Sequence, residues 1–201
     1  MSGVSPHTWK WKILAAVAAG TVAFDQATKI GVKAFFEGVD GASTPVIPGF
    51  FNLVLTHNPG AAWGLLGNIQ PDALRIAVFV VISITAVGMV LGLAWKARAE
   101  QKVLVWSAAL VLGGALGNLI DRLLYGRVID FLDVYTHAGF FSGLMEAVGK
   151  APCHPSYGCH WPAFNIADIA ISVGVFLLAT EGWFTKKAAA TTTTPAEGAG
   201  S

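Results

Sequence analysis

Residues 73–95 read ALRIAVFVVISITAVGMVLGLAW, an unbroken apolar run whose one charged side chain, Arg75, stands near its start. A hydrocarbon layer about 30 Å thick is crossed by roughly 20 apolar residues rising ~1.5 Å each, so this run is long enough to span a bilayer as a helix. Working outward from it, residues 103–120 form a second such run across a short link, 11–24 form another that continues past Asp25 to Ile30, and 164–184 form a fourth. The pattern predicts a mainly α membrane protein with four transmembrane helices, near 11–30, 73–95, 103–120 and 164–184. These would form a single domain over 1–187, followed by an Ala-, Thr-, Gly- and Pro-rich tail at 188–201 that buries too little apolar surface to order itself. Composition agrees: 54% of the 201 residues are hydrophobic, 12% are charged, and the mean hydropathy is +0.60. A net charge of +1 offers no basic surface for nucleic acid.

An even number of spans puts both termini on one side. Lys10 and Lys12 precede the first run, Lys96, Arg98 and Lys102 crowd the link between the second and third, and Lys186 and Lys187 follow the fourth. Positive flanks stay in the cytoplasm, so termini and link read as cytoplasmic. The longer outer connections also carry Lys and Arg, at lower density. Lys10 and Lys12 before an Ala-rich run are equally the pattern of a cleavable secretory signal, whose loss would leave three spans.

The outer segment 31–72 holds a β-prone run, Phe50-Phe51-Asn52-Leu53-Val54-Leu55-Thr56, after the turn signal Pro48-Gly49 and before the tight turn His57-Asn58-Pro59-Gly60. It reads as a small surface sheet or half-buried hairpin, or as an ordinary interfacial loop. The second outer segment, 121–162, contains Asp130, Asp133, Glu146, both cysteines and three of the five histidines.

An ionisable group within a membrane helix costs on the order of 3 kcal/mol at the centre, so each one asks for a reason. Asp25 and Lys29 are four apart on one helix face, either a pair that neutralises itself near the outer interface or a support for a site. In Gly113-Gly114-Ala115-Leu116-Gly117-Asn118-Leu119-Ile120-Asp121-Arg122 the glycines make a flat face for close helix packing. Packing leaves Asn118, Asp121 and Arg122 unexplained, and these could hold the amides of an extended peptide. Asp130, in Val128-Ile129-Asp130-Phe131, and Asp168, in Phe164-Asn165-Ile166-Ala167-Asp168, fall on the same membrane face by topology. Two carboxyls brought together among apolar neighbours tend to share one proton. One then takes a proton from water as it attacks a carbonyl while the other donates to the carbonyl oxygen, chemistry that calls for no metal or cofactor. Isolated membrane aspartates also serve packing or proton pathways.

Taken together, F-D-Q-A-T-K at 24–29, H-N-P-G-A-A-W-G at 57–64, G-G-A-L-G-N-L-I-D-R at 113–122, V-I-D-F at 128–131 and F-N-I-A-D at 164–168 resemble the lipoprotein signal peptidases, the type II signal peptidases of bacteria. The resemblance implies an inner-membrane aspartic endopeptidase that removes signal peptides from diacylglyceryl-modified prolipoproteins, cutting before the lipidated cysteine. It implies Asp130 and Asp168 as the catalytic pair. Asn58, Gly114, Asn118, Arg122 and Asn165 would bind or orient substrate and the catalytic pair, with Asp25 and Lys29 as support. It further implies a small extracytoplasmic β-cradle built largely from 31–72, an amphipathic surface helix over the site, contact with membrane lipid, and inhibition by globomycin-type cyclic peptides.

The insert Lys150-Ala151-Pro152-Cys153-His154-Pro155-Ser156-Tyr157-Gly158-Cys159-His160 departs from that pattern. In an oxidising compartment Cys153 and Cys159 read as a short-loop disulfide, with free thiols or a metal site including His154 and His160 as alternatives. A gradient-driven transporter using Asp25, Asp130 and Asp168, a metalloprotease using His57, His137, His154 or His160 without an H-E-x-x-H helix, and a structural scaffold are the rival functions.

Overall fold

The computed structural model describes residues 8–60, 66, 69–98, 101–137, 143, 153–154 and 158–192, with side chains excepted at 153, 154 and 182–192. Among these residues four long helices and five strands follow one another as α1 (Thr8–Phe35), β1 (Ser43–Ile47), β2 (Phe51–Asn58), α2 (Asp72–Lys96), α3 (Lys102–Tyr125), β3 (Val128–Thr136), β4 (Cys153–His154), β5 (Gly158–His160) and α4 (Ile166–Thr192). Among the described residues α1, α2 and α3 are long and apolar enough to cross a membrane. The fourth predicted span, 164–184, overlaps α4 from Ile166 onward. That helix runs past Lys187 to Thr192, where alanines, the best helix formers, begin the tail. The amphipathic surface helix expected over the site lies outside the described residues.

Helix α3 is the centre of the bundle: 61% of its apolar window is buried, against 11% for α2. Leu14 and Ala18 of α1, Val90 and Ala94 of α2, and Ala108, Ala109 and Leu112 of α3 form the main apolar core. Large apolar side chains such as Val81, Ile84, Met89 and Trp95 point outward instead, a distribution stable only where the surroundings are themselves apolar.

The glycines predicted to permit close packing do so, each against a different neighbour. A Cβ on Gly113 would meet Thr21 Cβ at 2.6 Å and the Ala18 carbonyl at 2.9 Å, bringing α1 close. One on Gly114 would collide with the Ala167 carbonyl of α4. Gly114 thus brings α3 against the start of α4, the turn that carries Asp168. Because backbone cannot swing aside, Gly114→Ala is expected to destabilise by about 1–3 kcal/mol. Gly88→Ala, whose Cβ would meet nothing within 4 Å, should be neutral or mildly stabilising. Thermal unfolding of both variants in detergent checks the contrast.

Lys10, read from sequence as a flanking charge, is 3% exposed and donates to the carbonyl oxygens of Ala94, Trp95 and Ala97 at 3.0–3.1 Å. It caps the C-terminal end of α2, where the helix dipole favours a cation, and so ties α1 into the bundle.

The strands form one antiparallel sheet in the order β1-β2-β3-β5-β4. The hairpin expected from residues 50–56 is present as β1 and β2, but the expectation that 31–72 supplies most of the sheet is corrected. Its middle strand and one edge come from the second outer segment, because the β-branched and aromatic run Val128-Ile129-Asp130-Phe131-Leu132-Asp133-Val134-Tyr135 pairs with β2 along its length. The described residues of the insert, 153–154 and 158–160, belong to the same sheet. Tyr135 pairs with His160, and Cys153 lies opposite Cys159, which is disulfide-bonded. Val32, Leu55, Ile129 and Phe131 make a second core where α1 meets the sheet.

Candidate active site

Asp130 projects from β3 and Asp168 from the first turn of α4, and both line one cavity of about 510 Å³ with Asn58, Asn118, Arg122 and Phe164. Local hydrogen bonding explains why α4 starts where it does. The Asn165 side-chain oxygen accepts from the Asp168 amide at 3.0 Å, while Asp168 Oδ2 accepts from the Asn165 amide at 3.2 Å. Asn165 and Asp168 therefore make a reciprocal capping box, the N-cap residue and the third residue of the helix satisfying each other's N–H. The same Asn165 donates from Nδ2 to Asp130 Oδ1 at 2.7 Å, so one side chain fixes α4 and reaches the other aspartate.

The remaining carboxylate oxygens are also held. Asn58 Nδ2 donates to Asp130 Oδ2 at 2.9 Å, its own Oδ1 accepting from the Gly60 amide in a turn. Asn118 Nδ2 donates to Asp168 Oδ1 at 2.8 Å. Three asparagines thus orient two acids, a choice that supplies donors without adding charge. Burial first, then the negative charge of Asp168, push the Asp130 carboxyl up to about 7, against the hydrogen bonds from Asn58 and Asn165 and the charge of Lys29. Arg122 lies at the cavity wall with its guanidinium 4.7 Å from the Phe79 ring centre, donating to the carbonyls of Asn118 at 3.3 Å and Gly60 at 3.4 Å.

Behind the cavity lies a cluster that the sequence divided between two motifs. Lys29 Nζ is 2.8 Å from both Asp25 Oδ2 and Asp121 Oδ2, and all three side chains are at most 1% exposed. Asp25 and Lys29 are therefore no self-neutralising interfacial pair. Asp121, expected beside a peptide, faces away from the cavity and accepts from the Ile129 amide at 3.0 Å. Asp25 Oδ1 accepts from the Ala167 amide at 2.9 Å, and Lys29 also donates to Asn118 Oδ1 at 3.3 Å. Gln26, which no reading of the sequence singled out, donates from Nε2 to Asp121 Oδ1 at 2.9 Å and lies 3.2 Å from Asp25 Oδ2 and the Gly117 carbonyl. A polar amide in an otherwise apolar helix, one residue after Asp25, was the available signal.

On the middle strand Asp133 accepts from Asn52 Nδ2 at 2.8 Å and pairs with His160 Nδ1 at 2.8 Å, whose ring stacks on Tyr135 at 4.9 Å. His57 Nδ1 is 3.0 Å from Asp40 Oδ1. Among the described residues no group of three or more His, Cys, Asp or Glu is arranged to hold a metal; the side chains of Cys153 and His154 lie outside them.

Residues 17–184 match the family model described as signal peptidase (SPase) II, a peptidase A8 family. The chain is 42% identical over 170 residues to the lipoprotein signal peptidase of Syntrophus aciditrophicus (strain SB), covering 84% of this chain and 91% of that protein. It is 43% identical over 161 residues to that of Janthinobacterium sp. (strain Marseille), covering 80% and 82%. Two solved structures, described as a bacterial membrane enzyme determined by the in meso method at 2.3 and 1.9 Å, superpose with TM-scores of 0.63 and 0.62 at 29% and 30% identity. They cover 93% and 84% of this chain, and 94% and 90% of their own. A match of this extent, over the segments that build the paired carboxyls, establishes that the chain is a membrane protease belonging to the signal peptidase II family.

Proposed function

We propose that Asp130 and Asp168 are the catalytic pair of an aspartic endopeptidase that cleaves diacylglyceryl-modified prolipoproteins immediately before the lipidated cysteine. The observation that carries this reading is two carboxyls facing one cavity, linked through Asn165 and each held by asparagine donors. With one proton between them, the anionic member takes a proton from the attacking water and the protonated member donates to the scissile carbonyl oxygen, giving a tetrahedral intermediate. Its collapse breaks the C–N bond, with the proton returned to the departing amine of the lipidated cysteine. Arg122, Asn58 and Asn118 orient the peptide, and the apolar lining that continues along α4 through Ile169 and Val173 meets lipid and signal-peptide side chains. Globomycin-type peptides would occupy the same cavity.

The domain spans 1–187 and crosses the inner membrane four times, α4 being the fourth crossing, with both termini cytoplasmic and the site on the outer side. Lys and Arg density in the link after α2 supports that orientation. Retention of α1 in the mature enzyme is supported by Lys10, Asp25 and Lys29, which bond to other elements and would be lost with a cleaved leader. The Cys159 disulfide is assigned to Cys153 across the β4–β5 register, in keeping with an oxidising outer compartment.

The test is processing of a diacylglyceryl-modified precursor by the purified chain in detergent, with no membrane gradient. Cleavage before the modified cysteine, unaffected by a chelator, is expected; dependence on a gradient or on metal would overturn the assignment. The same assay gives a pH signature. Asp130 is neutral below about 7 and anionic above it, so the shared proton is lost and kcat/KM should fall as pH rises through about 7. A profile flat from pH 6 to about 9 would contradict a proton held at that carboxyl.

A further inference from the structure

We propose that Gln26 is a positioning residue for the cleavage reaction, its side-chain amide tying Asp25 to Asp121 so that the backbone carrying Asp168 and the backbone carrying Asp130 keep one fixed separation. The inference rests on the reading of Asp130 and Asp168 as the reacting pair.

The cluster is symmetrical about Gln26 and Lys29. Asp25 receives Lys29 and Gln26 on Oδ2 and the Ala167 amide on Oδ1. Asp121 receives Gln26 on Oδ1 and both Lys29 and the Ile129 amide on Oδ2. Ala167 and Ile129 are the residues immediately before Asp168 and Asp130. Each buried carboxylate therefore accepts from the backbone N–H of the residue before one reactive acid, and each is held by the same two side chains of α1.

Lys29 alone would leave this arrangement incomplete. It brings one positive charge to two carboxylates, and all three side chains are buried. A second cation would alter the field at Asp130, which already feels Lys29, whereas a neutral amide adds donors and no charge. Gln26 Nε2 has two hydrogens for three acceptors, so one bond is shared, and the third acceptor is the Gly117 carbonyl of α3. That contact needs α1 and α3 close together. Gly117 allows it, since a Cβ there would lie 2.7 Å from Asp25 Oδ2. Asparagine is one methylene too short to span the same acceptors, and methionine has the length without the donors.

The experiment compares wild type, Gln26→Met, Gln26→Asn and Asp130→Asn in the detergent processing assay, with kcat, KM and thermal unfolding measured on the same preparations. Misplacement of reacting groups by about 1 Å costs on the order of 100-fold, so Gln26→Met is expected to lower kcat by roughly 10- to 100-fold with KM within about twofold. Gln26→Asn should fall between it and wild type. A residue that only stabilises the bundle would lower the unfolding temperature and leave kcat per folded enzyme unchanged, and that result overturns the proposal. If Gln26→Met does not fold, Gln26→Asn decides by the same criterion. Processing by Asp130→Asn would instead refute the reacting pair itself, whereas an inactive Asp130→Asn beside a fully active Gln26→Met refutes the role of Gln26 alone.

Discussion

Asp130→Asn and Asp168→Asn are each expected to slow processing of a diacylglyceryl-modified precursor by about 10⁴-fold, the upper range for removal of a positioned acid or base. The reason is proton inventory. An amide at either position can neither take a proton from water nor give one to the carbonyl oxygen, and the remaining carboxyl cannot serve both faces of the scissile bond. The fold should survive both changes. At position 168 the new side-chain oxygen can still accept from the Asn165 amide and keep the helix cap, while the new amide nitrogen faces the Asn118 Nδ2 donor at a similar cost to that at position 130. At position 130 the amide nitrogen would confront a donor, Asn58 Nδ2 or Asn165 Nδ2, at a cost of about 1–3 kcal/mol that is offset by no longer burying an acid. Rates measured on protein shown to be folded by thermal unfolding decide the matter. Turnover within about tenfold of wild type in either variant would remove that aspartate from the mechanism.

Lys29→Met is expected to carry the largest stability penalty, about 3–5 kcal/mol, because it leaves Asp25 and Asp121 buried side by side without their cation. Methionine fills the volume, so the loss is electrostatic rather than a cavity. A double-mutant cycle separates the two. Adding Asp25→Asn to Lys29→Met removes one of the orphaned charges while its side-chain oxygen can still accept from Ala167, and should recover part of the stability. Denaturant unfolding in detergent reads all four corners of the cycle. Strict additivity would mean that Lys29 and Asp25 are not coupled as their 2.8 Å separation requires.

Much of the architecture could be read in one dimension because its signals are local. Residues 73–95 and 103–120 lie inside α2 and α3, and 51–56 lies inside β2. Helix α1 runs on to Phe35 because Asp25 and Lys29, which look like the end of an apolar span, are paired inside the bundle instead of facing water. The strand character of 128–136 was overlooked since Asp130 and Asp133 interrupt its apolar pattern. Both acids are nevertheless buried, one in the cavity and the other against Asn52 and His160. Asn165-x-x-Asp168 has the spacing of a helix cap, a signal that reading 164–184 as one apolar run passes over. What no periodicity discloses is that Asp121 of α3 shares Lys29 with Asp25 of α1, because that pairing depends on how two helices far apart in the chain come to lie together.

The chain leaves Asp130 along β3 and comes back to the same strand just before Asp168. Phe164 accepts at its carbonyl from the Phe131 and Leu132 amides and donates its own N–H to the Leu132 carbonyl. This bridge acts as a clamp at the neck of everything between Leu132 and Phe164. The hydrogen bonds at the neck hold the strand carrying Asp130 to the residues just before Asp168, so the separation of the two acids is set on the near side of the insertion. The strands that carry Cys153 and Cys159 lie beyond that neck, joined to the rest of the sheet through Tyr135 and Thr136 of β3.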